Sequence, residues 1–401
     1  MMVSGTDVTL INLGMLALTS AGVAIVARRA RIPYAVALLV TGGALAAAGL
    51  APALRLSRDL LYLIFLPPLV FEAALYLDWR ELRRDGVVIG VLATAGVLIA
   101  GTITAAGMHY IAGWPLAASA CFGALVAATD PVSVIATFKE TGVRGRVRLL
   151  VEAESLFNDA TAAILFGLAV SYAVGETLSP ASIMTTLVVS VAGGVVAGAT
   201  VAGLALLIAG RTSDHLVEVT LTTLAAYGSF LAAERMHASG VLASLTAGLI
   251  IGNVQARSVS KAGYSAMLAF WEYAAFVANS LIFLLIGVQL AHERIASLLL
   301  PAGLAVALVL LSRAASIYPL AALFSRSGRR VSAAHQHILF WGGLRGALAL
   351  ALAMALPESL PGREAVVTVT FAVAAFSILA QGLTIPPLLR YLGETSGREA
   401  T

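Results

Sequence analysis

The sequence predicts an all-α polytopic membrane protein with about thirteen transmembrane helices. Three observations predict this fold class: the apolar composition, the number of long apolar runs, and the uneven distribution of basic residues between the loops. Of the 401 residues, 60% are hydrophobic and 11% are charged, and the mean hydropathy is +0.94. Soluble domains carry about 25% charged residues. The composition therefore excludes an ordinary soluble domain, and it also excludes a disordered or collagen-like chain.

The apolar runs are bounded by charged residues, Pro or Gly, and most have the about 17–25 residues that a helix needs to cross a bilayer. In chain order they are residues 8–27, 33–50, 60–77, 87–111, 116–138, 149–174, 183–209, 216–233, 241–254, 267–290, 299–324, 338–356 and 366–389. The first run has no basic residues before it, so we expect a retained helix and no signal peptide. The ninth run is short, but we keep it, because without it the basic cluster at residues 326–330 would lie on the outer side of the membrane.

The basic residues predict the orientation of the chain. With the N-terminus outside and the C-terminus in the cytoplasm, most loop arginines and lysines lie inside, as the positive-inside rule requires. The outer loops then keep only Arg55, Arg58, Arg235, Arg294 and Arg363. The net charge of +4 is thus explained by topology, and we expect no nucleic-acid partner.

Glu152, Glu218 and Glu272 lie nearer the ends of predicted spans, where we expect them at the membrane interface. Six other charged residues fall inside predicted spans, where a charge costs several kcal/mol unless it is paired or hydrated. They are Glu72, Asp130, Glu154, Asp159, Arg313 and Arg345. Arginine keeps its proton even in an apolar setting, so each guanidinium needs a partner. Glu154 is the best candidate partner for Arg313. Asp159 then remains as the carboxylate that is free to exchange what it binds.

The fifth and twelfth runs carry helix-breaking sequences near their centres. Thr129-Asp130-Pro131 interrupts the fifth run, because proline removes a backbone donor. Gly342-Gly343-Leu344-Arg345-Gly346 interrupts the twelfth, since glycine can adopt non-helical angles. Interrupted helices at the midplane are where transporters bind ions. With the seventh run inside a linker helix of residues 181–210, we expect the six helices on each side to form inverted repeats in which these two helices correspond.

Residues 154–159 place two polar pairs on one helix surface, Glu154 with Asn158 and Ser155 with Asp159. Hydrogen bonding between helices is the alternative explanation, but it does not explain two carboxylates at this depth. Glu72 follows Pro67-Pro68. It either lines an ion pathway or lies on a kinked helix and reaches the nearer surface.

Signatures of catalysis and of nucleotide use are absent from the sequence. It holds no HExxH, Ser-His-Asp arrangement, P-loop or dinucleotide fingerprint, so we expect no enzyme, no ATP drive and no cofactor. His335-x-His337 lacks zinc-ligand spacing.

Four motifs in order resemble the NhaP/NHE-type monovalent cation/proton antiporters. They are FLPPLVFE (65–72), ATDPVS (128–133), ESLFND (154–159) and WGGLRGA (341–347). The resemblance implies an inverted-repeat fold in which the fifth and twelfth helices cross at their breaks. It also implies a homodimer, with residues 1–77 and 214–291 as dimerisation domain and residues 86–175 and 299–392 as a mobile ion-transport core.

Carried over residue by residue, the resemblance makes Asp159 the cation and proton carboxylate, with Asp130 nearby. The Thr129 carbonyl, Ser155 and Glu72 would complete a Na⁺ site. Asn158 stands where electrogenic relatives have a second aspartate, and it would hold Asp130 by a hydrogen bond. Glu154 with Arg313 matches a family salt bridge, and Arg345 is the arginine of the second broken helix.

The implied function is exchange of Na⁺ or Li⁺ for H⁺ by alternating access across a prokaryotic inner membrane. Because Asn158 does not titrate, we expect electroneutral exchange of one cation for one proton. The same site could serve K⁺/H⁺ exchange. A channel and an intramembrane aspartyl protease fit less well, since the helices are broken and no Gly-Asp catalytic dipeptide accompanies the two aspartates.

Overall fold

The computed structural model describes residues 5–30, 32–50, 56–130, 132–254, 260–292 and 299–395, which form helices and loops without a strand. The helices are α1 (Gly5–Ala30), α2 (Tyr34–Ala47), α3 (Leu60–Leu75), α4 (Trp79–Tyr110), α5 (Leu116–Leu125), α6 (Val132–Thr141), α7 (Arg146–Ala173), α8 (Pro180–Ala209), α9 (His215–Arg235), α10 (Gly240–Val254), α11 (Lys261–His292), α12 (Leu299–Ala322), α13 (Ala333–Trp341), α14 (Ala347–Met354) and α15 (Arg363–Tyr391). The predicted all-α fold class is confirmed.

Every apolar run contains one described helix, except the fifth and twelfth runs, which contain two each. Seven described helices are long and apolar enough to cross a bilayer: α4, α7, α8, α9, α11, α12 and α15. The chain is therefore an integral membrane protein. The number of crossings and the inverted repeats stay predictions.

Helix α4 begins about two turns before the predicted start at residue 87. Asp78 caps it by accepting hydrogen bonds from the backbone N–H groups of Arg80 (2.7 Å) and Glu81 (3.2 Å). Hydropathy missed these turns because they are polar and lie outside the apolar run.

Glycines bring neighbouring helices into backbone contact. A methyl group on Gly42 of α2 would overlap the Leu284 carbonyl of α11, and one on Gly287 of α11 would overlap the Leu39 carbonyl of α2. Gly248 and Gly252 of α10 approach the backbone of α3 in the same way. Helices in lipid gain stability from such close van der Waals packing.

Buried apolar side chains connect the two parts of the chain that were predicted to be separate domains. One cluster joins residues of α4, α5, α7 and α12 to residues of α3 and α10. A second cluster joins α2, α3 and α11 to α14 and α15. The division into a dimerisation domain, a linker and a transport core stays a prediction.

Candidate ion-binding site

The two interrupted helices meet at their breaks. Helix α5 ends at Leu125 and α6 begins at Val132, while α13 ends at Trp341 and α14 begins at Ala347. The backbone N–H of Asp130 donates to the carbonyl of Leu344 at 2.8 Å, in an antiparallel bridge. The structure thus places the two breaks against each other. Pro131, which predicted the first break, lies outside the described residues.

At each break, a buried arginine donates to backbone carbonyls at or just past the C-terminal end of the first half-helix. Arg345 donates through Nη1 to the carbonyls of Ala127 (2.9 Å) and Ala128 (2.7 Å), just past the end of α5. Arg313 of α12 donates through Nη2 to the carbonyl of Leu339 in α13 (3.0 Å). The C-terminal end of a helix carries partial negative charge, so a cation there is stabilised. Sequence reasoning missed these carbonyl partners, since no sequence pattern shows them.

Arg313 and Glu154 form a two-pronged ion pair between α12 and α7. The guanidinium nitrogens lie 2.7 and 2.9 Å from the two carboxylate oxygens. The Arg313 residue is 5% exposed and Glu154 is 1% exposed. Water cannot replace either partner at this depth, so the two charges depend on each other.

Asn158 connects the first break to α7. Its side-chain oxygen accepts from the backbone N–H of Thr129 (3.1 Å), and its Nδ2 donates to the Thr129 hydroxyl (2.6 Å) and to Glu154 (3.1 Å). The Thr129 and Ser155 hydroxyls lie 2.9 Å apart. Asn158 therefore fixes Thr129, while its predicted hydrogen bond to Asp130 stays a prediction.

A cavity of about 830 Å³ reaches this network, and its wall includes Asp159, Asp130, Thr129 and Glu72. Asp159 is 6% exposed, and its Oδ1 is buried and accepts no hydrogen bond from any described residue. A buried carboxylate oxygen without a donor is costly unless a cation or a proton satisfies it. The Asp159 Oδ1 atom lacks such a donor among the described residues.

Helix α11 supplies cavity residues that sequence reasoning did not assign to the site. Glu272, Phe276, Asn279 and Phe283 all line the cavity. Their spacing of four, three and four places them on one helix face. That spacing of polar residues was the available signal, but Glu272 lies close to the start of its apolar run (residues 267–290), where an acid is also expected at the membrane interface.

Glycines at the second break leave room for charged side chains. A methyl group on Gly343 would press on the Arg313 guanidinium, and one on Gly346 would overlap the Asp130 carboxylate. None of Gly342, Gly343 and Gly346 has a positive φ. The expected non-helical angles occur at Gly346, where φ is −142° and ψ is −140°. Close approach also excludes a side chain at Gly343 and Gly346.

The two histidines of α13 face different partners. His335 Nε2 lies 3.3 Å from a Glu394 oxygen, and His337 Nδ1 lies 2.8 Å from the Tyr318 hydroxyl. Burial lowers the pKa of His335, and the Glu394 carboxylate partly opposes this shift. The two histidines thus make separate contacts, and neither lies on the cavity wall.

The family model described as "Sodium/hydrogen exchanger, transmembrane" matches residues 15–391. The chain belongs to the sodium/hydrogen exchanger family. A low-affinity Na⁺/H⁺ antiporter of Synechocystis is 37% identical to this exchanger over 369 residues, which cover 90% of this chain and 70% of the relative. The Na⁺/H⁺ antiporter NhaP of Pseudomonas aeruginosa is 37% identical over 345 residues, or 82% of this chain and 81% of the relative.

Among solved structures, the exchanger is similar to the sodium proton antiporter MjNhaP1 of Methanocaldococcus jannaschii. The TM-score is 0.75 at 20% identity, and the match covers 96% of this chain and 100% of the other. This likeness shows the antiporter fold. The resemblance stated from the four motifs is confirmed, and the exchanger belongs to a family of transporters rather than enzymes.

Proposed function

We propose that the protein exchanges Na⁺ for H⁺ across a prokaryotic cell membrane, with Asp159 as the shared site. The observation that carries this proposal is the Asp159 Oδ1 atom, which is buried beside the cavity and accepts no hydrogen bond from a described residue. A proton or a desolvated cation would satisfy it, but the two would compete for the same charge. Competition for one carboxylate couples the two fluxes without ATP.

The remaining charges of the site support Asp159 as the exchanging group. Glu154 is held by Arg313 in a two-pronged pair, so releasing it for ion binding would strand a buried guanidinium. Arg345 is held by the carbonyls of Ala127 and Ala128. These two arginines keep positive charge near the breaks, while Asp159 lies on the cavity wall and its Oδ1 accepts no hydrogen bond from a described residue.

The proposed Na⁺ ligands are oxygens of Asp159, Thr129, Ser155 and Glu72, with Asp130 as a neighbouring carboxylate. Oxygen ligands suit a small hard cation. Asp159, Thr129, Asp130 and Glu72 share the cavity wall, and Ser155 contacts Thr129 through its hydroxyl. Two helices, α3 and α7, and the first break thus contribute oxygens to one region.

Asn158 supports an electroneutral stoichiometry of one cation for one proton. It carries no titrating charge, and its amide is engaged with Thr129 and Glu154. We further propose alternating access, with the described conformation open toward the cytoplasm. The cavity reaches Arg28 near the end of α1 and Arg390 near the end of α15, two helix ends that the basic residues predict to be cytoplasmic.

The proposal includes the assembly implied by the resemblance. The exchanger would act as a homodimer, with the N-terminus outside and the C-terminus in the cytoplasm. The core of residues 86–175 and 299–392 would carry the site, with no resident cofactor and with Na⁺ and H⁺ as substrates. K⁺/H⁺ exchange by the same oxygens is the alternative, because cavity shape and coordination number decide the selectivity.

The function is tested in vesicles that hold the purified protein, an imposed inward acid gradient and a pH-sensitive dye. We expect external Na⁺ or Li⁺ to dissipate the pH gradient. We also expect the initial rate to stay unchanged when the membrane potential is collapsed in a buffer without K⁺. A response to K⁺ alone would replace the Na⁺ assignment. A response that follows the membrane potential would contradict the electroneutral stoichiometry.

Gly346→Ala is expected to reduce exchange strongly, because the added methyl group overlaps the Asp130 carboxylate and pushes it away from Thr129 and Asp159. The initial rate of Na⁺-dependent dye recovery measures the effect. Gly167→Ala on α7 is the matched control, since a Cβ there meets no atom within 4 Å. Equal rates in the two variants would show that the position of Asp130 is not needed for exchange.

A further inference from the structure

Six exposed arginines form one surface at the end of the protein that the basic residues predict to be cytoplasmic. They are Arg80, Arg83 and Arg84 on the first turns of α4, and Arg326, Arg329 and Arg330 in the loop between α12 and α13. We call this surface the arginine platform. It lies apart from the cavity, whose wall contains none of these six residues.

The two halves of the arginine platform are joined by specific contacts. Arg146 forms an ion pair with Asp85 at 2.7 Å, and it also donates to the carbonyls of Arg329 (2.9 Å) and Arg330 (2.6 Å). Arg329 in turn donates to the carbonyl of Arg84 at 3.3 Å. Asp85 is only 3% exposed. An ion pair with a buried carboxylate and a partly exposed guanidinium thus holds two distant segments together and keeps their arginines side by side.

The arginine platform has no anionic partner among the described residues. None of its six side chains forms a salt bridge or an ion pair with a described carboxylate. Glu81 lies on the same turn of α4 and lowers the net charge, but it leaves a large excess of arginine. A fixed array of positive charges attracts anionic groups that lie close together.

Helix length places the arginine platform at the height of lipid headgroups. Helix α4 has 32 residues, which span about 48 Å, against a hydrocarbon core of about 30 Å. Its apolar run begins at residue 87, so the first two turns extend out of the hydrocarbon. Trp79, 52% exposed, precedes the arginines, and Val87, 51% exposed, follows them. Exposed tryptophan beside arginine is typical of the membrane–water interface.

We propose that the arginine platform binds the phosphate groups of anionic phospholipids in the adjacent leaflet. Guanidinium groups bind phosphate through paired N–H donors, and clusters of four to eight basic residues next to a transmembrane helix attract anionic lipid. This inference goes beyond ion exchange. It concerns lipid binding alone, so its test does not depend on the proposed function.

The test uses Trp79 as a reporter in vesicles of equal parts phosphatidylcholine and phosphatidylglycerol. Bromine is placed on the acyl chains of one lipid or the other, and the quenching that is lost in Trp79→Phe gives the contribution of Trp79. We expect stronger quenching by brominated phosphatidylglycerol, with a preference of about fivefold for each arginine that engages a headgroup. Added salt is expected to weaken the preference.

Charge-removing variants decide whether the arginine platform is responsible. R80Q/R83Q/R84Q is expected to bring the two lipids to equal quenching, and R326Q/R330Q, which alters the other half, is expected to lower the preference. The matched control is R29Q/R211Q/K261Q, which removes three exposed charges on the same predicted side. Equal quenching in the unaltered protein, or an equal loss in the control, would overturn the proposal.

A final comparison separates lipid from free anion. Inorganic phosphate and sodium chloride are added at the same ionic strength. Similar effects of the two salts support lipid headgroups as the ligand, and selective loss of the preference in phosphate would assign the surface to a soluble anion instead.

Discussion

Replacing Asp159 by asparagine is expected to abolish Na⁺-dependent proton movement while leaving the protein folded. The amide has nearly the shape of the carboxylate, but it can neither release a proton nor neutralise a bound cation. Since Asp159 is 6% exposed and its Oδ1 accepts no hydrogen bond from a described residue, removing its charge is expected to maintain or raise thermal stability. Dye recovery in vesicles should fall to the level of protein-free vesicles.

The matched control for Asp159→Asn is Glu272→Gln, which removes a carboxylate from the same cavity wall on α11. We expect this control to weaken cation attraction and to raise the Na⁺ concentration for half-maximal rate, with exchange retained. Exchange by Asp159→Asn at a rate near that of the unaltered protein would remove Asp159 from the centre of the mechanism. The binding of Na⁺ and H⁺ at the same time would also contradict it.

Glu154→Gln is expected to destabilise the protein by about 3–5 kcal/mol, because it leaves the Arg313 guanidinium buried without its counter-charge. The partners lie 2.7 and 2.9 Å apart, and both are nearly inaccessible to water. The midpoint of thermal unfolding in a neutral detergent measures the loss. Removing both charges in Glu154→Gln/Arg313→Met should restore much of the stability.

Glu152→Gln on the same helix is the matched control for Glu154→Gln. Glu152 pairs with Arg148 one turn away at 2.6 Å, and the Arg148 side chain is 28% exposed. Glu152 itself is 6% exposed, but Arg148 reaches water and is not left buried when the Glu152 carboxylate is neutralised. The midpoint should therefore shift less than in Glu154→Gln. Equal shifts in the two variants would mean that Arg313 is stabilised by its contact with Leu339 and not by Glu154.

The sequence was most informative about the candidate site where the position of a charge inside an apolar run was enough to single out a residue. Asp159, Glu154 and Arg313 were recognisable because a charge inside an apolar run needs a partner or a function. The positions of the helix breaks followed from proline and glycine, whose effect on the backbone is local. These features require no knowledge of which helices touch.

Features that depend on contacts between distant segments could not be predicted. Arg345 was expected to need a partner, but the sequence could not show that its guanidinium donates to two backbone carbonyls of the first break. Gly346 was predicted from its backbone angles, which are non-helical, but the sequence could not show that its neighbour is the Asp130 carboxylate. Backbone carbonyls and close approaches leave no residue pattern, since every residue type has a carbonyl.

The glycine contact between α2 and α11 has a consequence for how the chain is made. Gly42 and Gly287 fit against each other's helices, but the ribosome produces the second about 240 residues after the first. At roughly 5–20 residues per second, this interval is roughly 10–50 s. During that time the newly inserted α2 lies in the bilayer without its later neighbour, so its glycine face meets lipid or the insertion machinery until α11 is released.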